Sequence, residues 1–258
     1  MIALLTSVLV ALAMASSPVT LPPTAGVADY QLGGAYEPAS DVDIVTRDRT
    51  EPPAEGRYSI CYVNSFQTQP GTLRWWKKKH PSLLLRDAKG RLVRDPGWPD
   101  EVLLDIRSAK KRAALAKLNR AWFDGCARDG FQAVEPDNLD SWTRSKGRLT
   151  TSHTISFGKR LVREAHEAGV AIAQKNTPEL SARGLGFDFA VAEECEVYRE
   201  CDAYTATYGT HLIEIEYTDN GRKAYARACA ARSGQASILL RDRDVVTTGT
   251  KDYVFEHC

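Results

Sequence analysis

Short apolar runs that break off into polar or charged residues recur along the whole chain. In the second half most of them are followed by residues spaced for a helix. Residues 28–34 (ADYQLGG), 41–48 (DVDIVTRD) and 58–67 (YSICYVNSFQ) predict three early strands. Residues 131–135, 170–174, 187–192, 211–215 and 236–240 predict five more, with a cysteine-containing loop after the sixth strand. Helices are expected over 108–127, where Ala113, Leu115, Leu118, Ala121 and Trp122 recur at helical spacing, and over 152–168, 178–182 and 221–231. From 70 onward the chain is mixed, with an excursion expected around 83–95 and then a run at 101–106 before the helix. Continuous apolar strands separated by helices imply a parallel sheet buried on both faces, and eight of them imply an α/β fold of the (β/α)8 TIM-barrel type.

The strand ends change that picture from a fold to a site. Asp29, Gln31, Tyr62, Asn64, Glu135, Asp137, Asn138, Asp140, Lys175, Asn176, Glu193, Glu194, Glu216, Tyr217, Asp219, Arg241 and Asp242 all fall where strands finish, the end at which barrel enzymes build their sites. The densest stretch is FQAVEPDNLD at 131–140, in which Glu135 and Asp137 share one face of an extended segment. A plainer reading has Asp137 and Asn138 capping the next helix. Acids outnumber bases on this rim, which suits hydroxyl-rich or cationic ligands and disfavours phosphate. Calcium held by Asp137, Asn138 and Asp140 is an alternative use of the same oxygens. No zinc-type spacing exists among the five histidines, no nucleophile elbow or P-loop is present, and neither cofactor nor metal is expected.

Composition bounds the partners. At 258 residues, 43% hydrophobic and 26% charged, the chain suits one domain, expected over 28–258, and a net charge of +1 gives no field for nucleic acid. The Lys77–Lys79 run reads as a solvated face, with a polyanion patch as the sharper alternative. Residues 1–16 are apolar, uncharged and end near an A-x-A pattern, so an export signal is expected, followed by a linker over 17–27. A secreted monomer with no membrane association after cleavage is the expected state. Six cysteines, Cys61, Cys126, Cys195, Cys201, Cys229 and Cys258, then favour disulfides over metal ligation. Fifteen connectivities are open. The six-residue spacing of Cys195 and Cys201 suits a local staple, leaving Cys61–Cys126 and Cys229–Cys258 as the expected remainder.

Two carboxylates facing each other across a wet cleft are what glycoside hydrolysis needs, one protonated and one ionised. Asp137 on the fourth strand and the Glu193–Glu194 pair on the sixth supply them, and mutual repulsion in the pair is expected to raise one pKa. The ordered segments DYQLGGAY (29–36), ICYVNSFQTQP (60–70), DEVLLDIR (100–107), GFQAVEPDNLDSWTRS (130–145), AIAQKN (171–176), FDFAVAEEC (187–195), IEYTD (215–219) and LLRDRDV (239–245) resemble glycoside hydrolase family 114, the endo-α-1,4-polygalactosaminidase group. That resemblance implies an exported (β/α)8 hydrolase of α-1,4-linked galactosamine polymers, with the catalytic Asp at Asp137 and the acidic partner at Glu193. The leading reading is an endo-acting, retaining enzyme with Asp137 as nucleophile and Glu193 as acid/base. Strand parity points elsewhere: Asp188, Ala190, Ala192 and Glu194 share a face, and small side chains suit a barrel interior. Such a polymer of free amines is polycationic, which the acid-rich rim would attract. Tyr30, Tyr36, Tyr62, Trp142, Tyr198 and Tyr217 are candidates for stacking on sugars. A hydrolase of another α-linked polysaccharide and a non-catalytic glycan-binding barrel are the competing readings.

Overall fold

The computed structural model describes residues 18–258, so the expected export signal lies outside the described residues. Eight parallel strands follow one another in sequence order: β1 (Ala28–Gln31), β2 (Ile44–Asp48), β3 (Tyr58–Asn64), β4 (Ala133–Asp137), β5 (Ala171–Lys175), β6 (Phe189–Glu193), β7 (Leu212–Tyr217) and β8 (Ser237–Arg241). A short β9 (Phe255–His257), for which the sequence carries no strand pattern, runs antiparallel along β8. The fold is a single-domain TIM barrel with two departures. No helix lies between β1 and β2 or between β2 and β3, and the seam from β8 to β1 is not a regular ladder.

Side chains bridge that seam instead. Arg241, fully buried, donates through Nη1 to Asp29 Oδ1 at 3.0 Å and to the Tyr30 carbonyl. Gly33 N–H reaches the Val245 carbonyl at 3.2 Å, and a Cβ on Gly33 would lie 2.5 Å from that oxygen, so only glycine allows the approach.

The helices form α1 (Leu73–Lys79), α2 (Ala109–Asp129), α3 (Ser141–Arg144), α4 (Thr151–Ala168), α5 (Pro178–Ser181), α6 (Cys195–Tyr198), α7 (Cys201–Tyr208) and α8 (Lys223–Arg232). The expected cysteine loop therefore holds two helices. Local chemistry fixes the long ones. Ser108 accepts from Lys111 N–H at the start of α2, and Gly130 ends it at φ 103°. Thr150 and His153 form a reciprocal cap on α4, which Gly169 closes at φ 81°.

Alternation along the strands divides the interior in two. Ala28, Tyr30, Ile44, Ile60, Ala133, Ala173, Phe189, Val191, Ile213, Ile215 and Leu239 fill the barrel. The opposite set packs under the helices, including Ala190 and Ala192 against Tyr204 of α7. The parity expectation for β6 is thus corrected: the small residues face outward to admit α7, and the inward set ends in Glu193. Disulfides join Cys61–Cys126, Cys195–Cys201 and Cys229–Cys258, the pairs expected from the sequence. Among the described residues no helix is long and apolar enough to cross a membrane.

Candidate active site

Strands β4, β5 and β6 each deliver an inward charged residue to the same end of the barrel. The β4–β5 ladder stops at Val134 and Ile172, so Glu135, Pro136 and Asp137 lie where the two strands part. Immediately after Asp137, Lys175 and Glu193 the chain turns through a left-handed residue: Asn138 at φ 66°, Asn176 at φ 51° and Glu194 at φ 61°. Backbone of this kind is uncommon outside glycine and clusters at functional sites.

Lys175 is the hub. Its Nζ lies 2.9 Å from Glu135 Oε1, 3.3 Å from Glu193 Oε2, 3.6 Å from Asp137 Oδ1 and 2.8 Å from the Tyr30 hydroxyl. Each carboxylate also accepts from its own tyrosine: Tyr30 to Glu135 at 2.6 Å, Tyr62 to Asp137 at 2.8 Å and Tyr217 to Glu193 at 2.5 Å. Asn176 ties Glu193 at both ends, donating to Oε2 at 3.0 Å and accepting from the Glu193 N–H at 2.8 Å. Asn138 N–H donates to Asp137 Oδ1 at 2.7 Å. Glu135 and Lys175 are sealed, whereas the Asp137 and Glu193 side chains retain 19% and 24% exposure. Only the latter pair can meet a ligand.

Electrostatics follows from this packing. Burial alone would lower the Lys175 ammonium, but the charges of Asp137, Glu135 and Glu193 outweigh it and hold the group well above the ordinary lysine range. Burial raises Glu135 above the usual carboxylate range despite Lys175 and Tyr30. For Glu193 the burial effect is overcome by Lys175 and by hydrogen bonds from Tyr217 and Asn176, which leave it below the usual range. The expected repulsion between neighbouring Glu193 and Glu194 is therefore not what governs this group. The two side chains diverge, Glu194 accepting from Arg243 Nη2 at 2.6 Å and from Asn220.

A cleft of about 560 Å³ opens over the hub. Its lining holds eight carboxylates, Asp48, Asp95, Glu101, Asp137, Asp140, Glu193, Glu194 and Asp244, against the three cations Arg144, Lys175 and Arg243. Tyr62, Asn138, Asp140, Asn176, Glu194 and Tyr217 line it as the sequence reading places them. Glu135 lies one layer beneath. Asn64 sits at the margin, its amide donating to Glu101 Oε2 at 2.8 Å.

Four rim residues are elsewhere, and these are corrections. Asp29 and Gln31 have the outward parity of β1, with Asp29 accepting from Gln31, Tyr36 and Arg241, and Gln31 accepting from Arg47. Glu216 has the outward parity of β7 and accepts the Glu196 N–H at the start of α6, where burial pushes it up to about 7. Asp242 is occupied with the Val246 and Val254 amides. Nor is Asp140 free for calcium, since both oxygens accept from Arg144, at 2.5 and 2.7 Å.

Of the stacking candidates, Tyr30, Tyr62 and Tyr217 are buried and act as hydroxyl donors, while Trp142 packs against the core. Trp98, 56% exposed, is in the cleft lining. Trp98, Asp95 and Glu101 come from the irregular excursion after α1, where no periodicity marks them. Only the DEVLLDIR segment of the resemblance touches Glu101. Burial, opposed by the Asn64 hydrogen bond, pushes the Glu101 carboxyl up to about 7.

Known proteins share the fold. A complex of Aspergillus fumigatus Ega3 with galactosamine superposes with a TM-score of 0.72 at 25% identity, covering 94% of this chain and 99% of that one. The glycoside hydrolase domain of PelA from Pseudomonas aeruginosa gives 0.61 at 17% identity over 88% and 98% of the two chains. The Thermus thermophilus α-galactosidase TtGalA, in complex with stachyose, gives 0.52 at 15% identity over 90% and 64%. These last two likenesses concern the fold. No curated protein matches the chain. The model of glycoside-hydrolase family GH114 matches residues 10–258, so a barrel whose mouth holds two half-open carboxylates around one buried lysine belongs to GH114 and is a glycoside hydrolase.

Proposed function

We propose that this protein is an endo-acting hydrolase of α-1,4-linked galactosamine polymers, with Asp137 as nucleophile and Glu193 as acid/base. The observation that carries the reading is that these two carboxyl groups, on β4 and β6, are both within 3.6 Å of Lys175 and both open to an acid-lined cleft. The 25%-identical Ega3, solved with galactosamine, supports the sugar.

Chemistry follows from the contacts. Tyr62 and the Asn138 N–H orient Asp137 so that one lone pair remains for an anomeric carbon, with Lys175 Nζ 3.6 Å from its Oδ1. Lys175, Tyr217 and Asn176 hold Glu193 as a carboxylate in the free protein, so it must take up a proton from the cleft before it can protonate the leaving oxygen, and it recovers one from the water that releases the glycosyl intermediate. The Lys175 distances cap the gap between Asp137 Oδ1 and Glu193 Oε2 at roughly 7 Å, which includes the ~5–5.5 Å of retaining enzymes and excludes most of the ~6.5–9.5 Å inverting range. That supports retention. An ammonium-bearing sugar entering the cleft meets an excess of carboxylates and is drawn in. Three disulfides fit an oxidising, extracellular destination.

A reducing-end assay on deacetylated α-1,4-galactosamine polymer, with chitosan and an α-glucan as controls, tests the substrate. Asp137→Asn and Glu193→Gln should each lower kcat by several orders of magnitude with the circular-dichroism spectrum unchanged. Equal turnover of the glucan, or full activity of either variant, refutes the assignment.

A further inference from the structure

Beside the cleft lies a second cavity of different character. It is bounded by the β2–β3 side of the barrel and by α1, with Trp75, Trp76, Trp122, Arg49 and Gln69 in its wall. Trp75 is 41% exposed, and Trp76 is buried. The Trp75 and Trp76 rings stand edge to face at 5.1 Å, and Trp76 meets Trp122 at 6.2 Å, so the aromatic wall is built from interlocked rings. Arg49 lies over Trp122 at 4.9 Å. The cavity continues into the cleft. Gln69 lines both, its amide donating to cleft residue Asp48 at 3.0 Å, and Asn64, also in this wall, is the register neighbour of Asp137.

We propose that this cavity is a distal subsite of the same enzyme, for a sugar ring of the polymer that carries no ammonium group, such as an N-acetylated unit. The proposal rests on the function given above and extends it from one sugar to a pattern of sugars. Two independent features define the occupant. The exposed indole of Trp75 offers the flat apolar face on which a pyranose ring stacks. The lining carries Arg49 and no carboxylate, the reverse of the cleft, and the exposed face of α1 adds Lys77, Lys78 and Lys79. A free galactosamine unit is repelled here, whereas an amide-bearing unit offers a carbonyl to Arg49 or Gln69 and a methyl to the indole wall. The cleft selects an amine and the neighbouring cavity selects its absence, so the enzyme reads the acetylation pattern beside the scissile bond.

The test uses purified enzyme, fully deacetylated α-1,4-galactosamine polymer and a half N-acetylated polymer of equal length. The wild type should show the higher kcat/KM on the half-acetylated polymer. Trp75→Ala should reduce that preference roughly three- to tenfold, through KM rather than kcat. Arg49→Gln, which leaves the indole wall intact, should reduce it by raising relative activity on the deacetylated polymer. A wild-type preference for the fully deacetylated polymer, or a preference that neither substitution alters, overturns the subsite while leaving the polygalactosaminidase function standing. Absence of cleavage of both polymers overturns that function and the subsite together.

Discussion

Replacing Lys175 by Met keeps the length of the side chain and removes the one cation sealed among Glu135, Asp137 and Glu193. Breaking a buried ion pair from one side costs about 3–5 kcal/mol, because the remaining charge is left in a poorly polarisable surrounding. For a chain of this size about 3–5 kcal/mol corresponds to a fall in Tm of roughly 6–20 °C. The pH dependence gives the sharper discrimination. In the wild type Glu193 sits below its ordinary value of 4.5, so it contributes stability that is present above that value and is lost as pH falls through the folded one. Without Lys175 the burial of Glu193 is no longer offset and its folded pKa rises above the unfolded one, while Glu135, already raised, is raised further. The native state of K175M is then penalised at neutral pH and relieved as the carboxyls take up protons. Differential scanning calorimetry from pH 4.5 to 7.5 should show the deficit largest at pH 7.5 and shrinking steadily with acidification. An unchanged Tm at pH 7.5, or a deficit that grows on acidification, refutes the hub.

Three further outcomes are expected. Raising salt from low to moderate should depress kcat/KM on deacetylated polymer and leave any neutral substrate nearly unaffected, as stopped reducing-end assays will record; equal sensitivity removes electrostatic steering. Glu101→Gln should stabilise the protein by about 1–2 kcal/mol at pH 8 and scarcely at pH 5, because a carboxyl raised to about 7 opposes folding only once it is ionised; denaturant melts at the two pH values compare them. Glu194→Gln should reduce kcat far less than Glu193→Gln, since Glu194 is held by Arg243 and Asn220 while Glu193 faces Lys175; the reverse order in steady-state kinetics would move the acid/base to Glu194.

Much of the barrel is legible in the sequence because a strand buried on both faces has no choice but a continuous apolar run, and β3 to β8 all show one. What periodicity does not reveal is which face looks inward. In β6 the alanines at 190 and 192 suggest an inward, crowded face, yet they make room for Tyr204 and the Cys195–Cys201 bridge on the outer side. The same ambiguity moved Asp29, Gln31 and Glu216 to the rim in the sequence reading, when in β1 and β7 the inward residues are Tyr30 and Tyr217. The excursion carrying Asp95, Trp98 and Glu101 is held by isolated bridges such as Leu84 with Leu104 and by Arg144 Nε on Asp95 at 2.6 Å. Such contacts join residues far apart in sequence and leave no local pattern. β9 is three residues long, too short for alternation to register.

The pairing of one tyrosine with each carboxylate around Lys175 bears on how this protein can change. Tyr30, Tyr62, Tyr217, Glu135, Asp137, Lys175 and Glu193 share protons and charge across distances of 2.5–3.6 Å, so the effect of altering one depends on which of the others is present. Single substitutions will all look severe, and combinations will look less severe than their product. An evolutionary path to another sugar specificity is therefore steered away from this cage and toward the cleft walls that touch it from outside, where changes at Trp98 or Asp244 act independently of the seven.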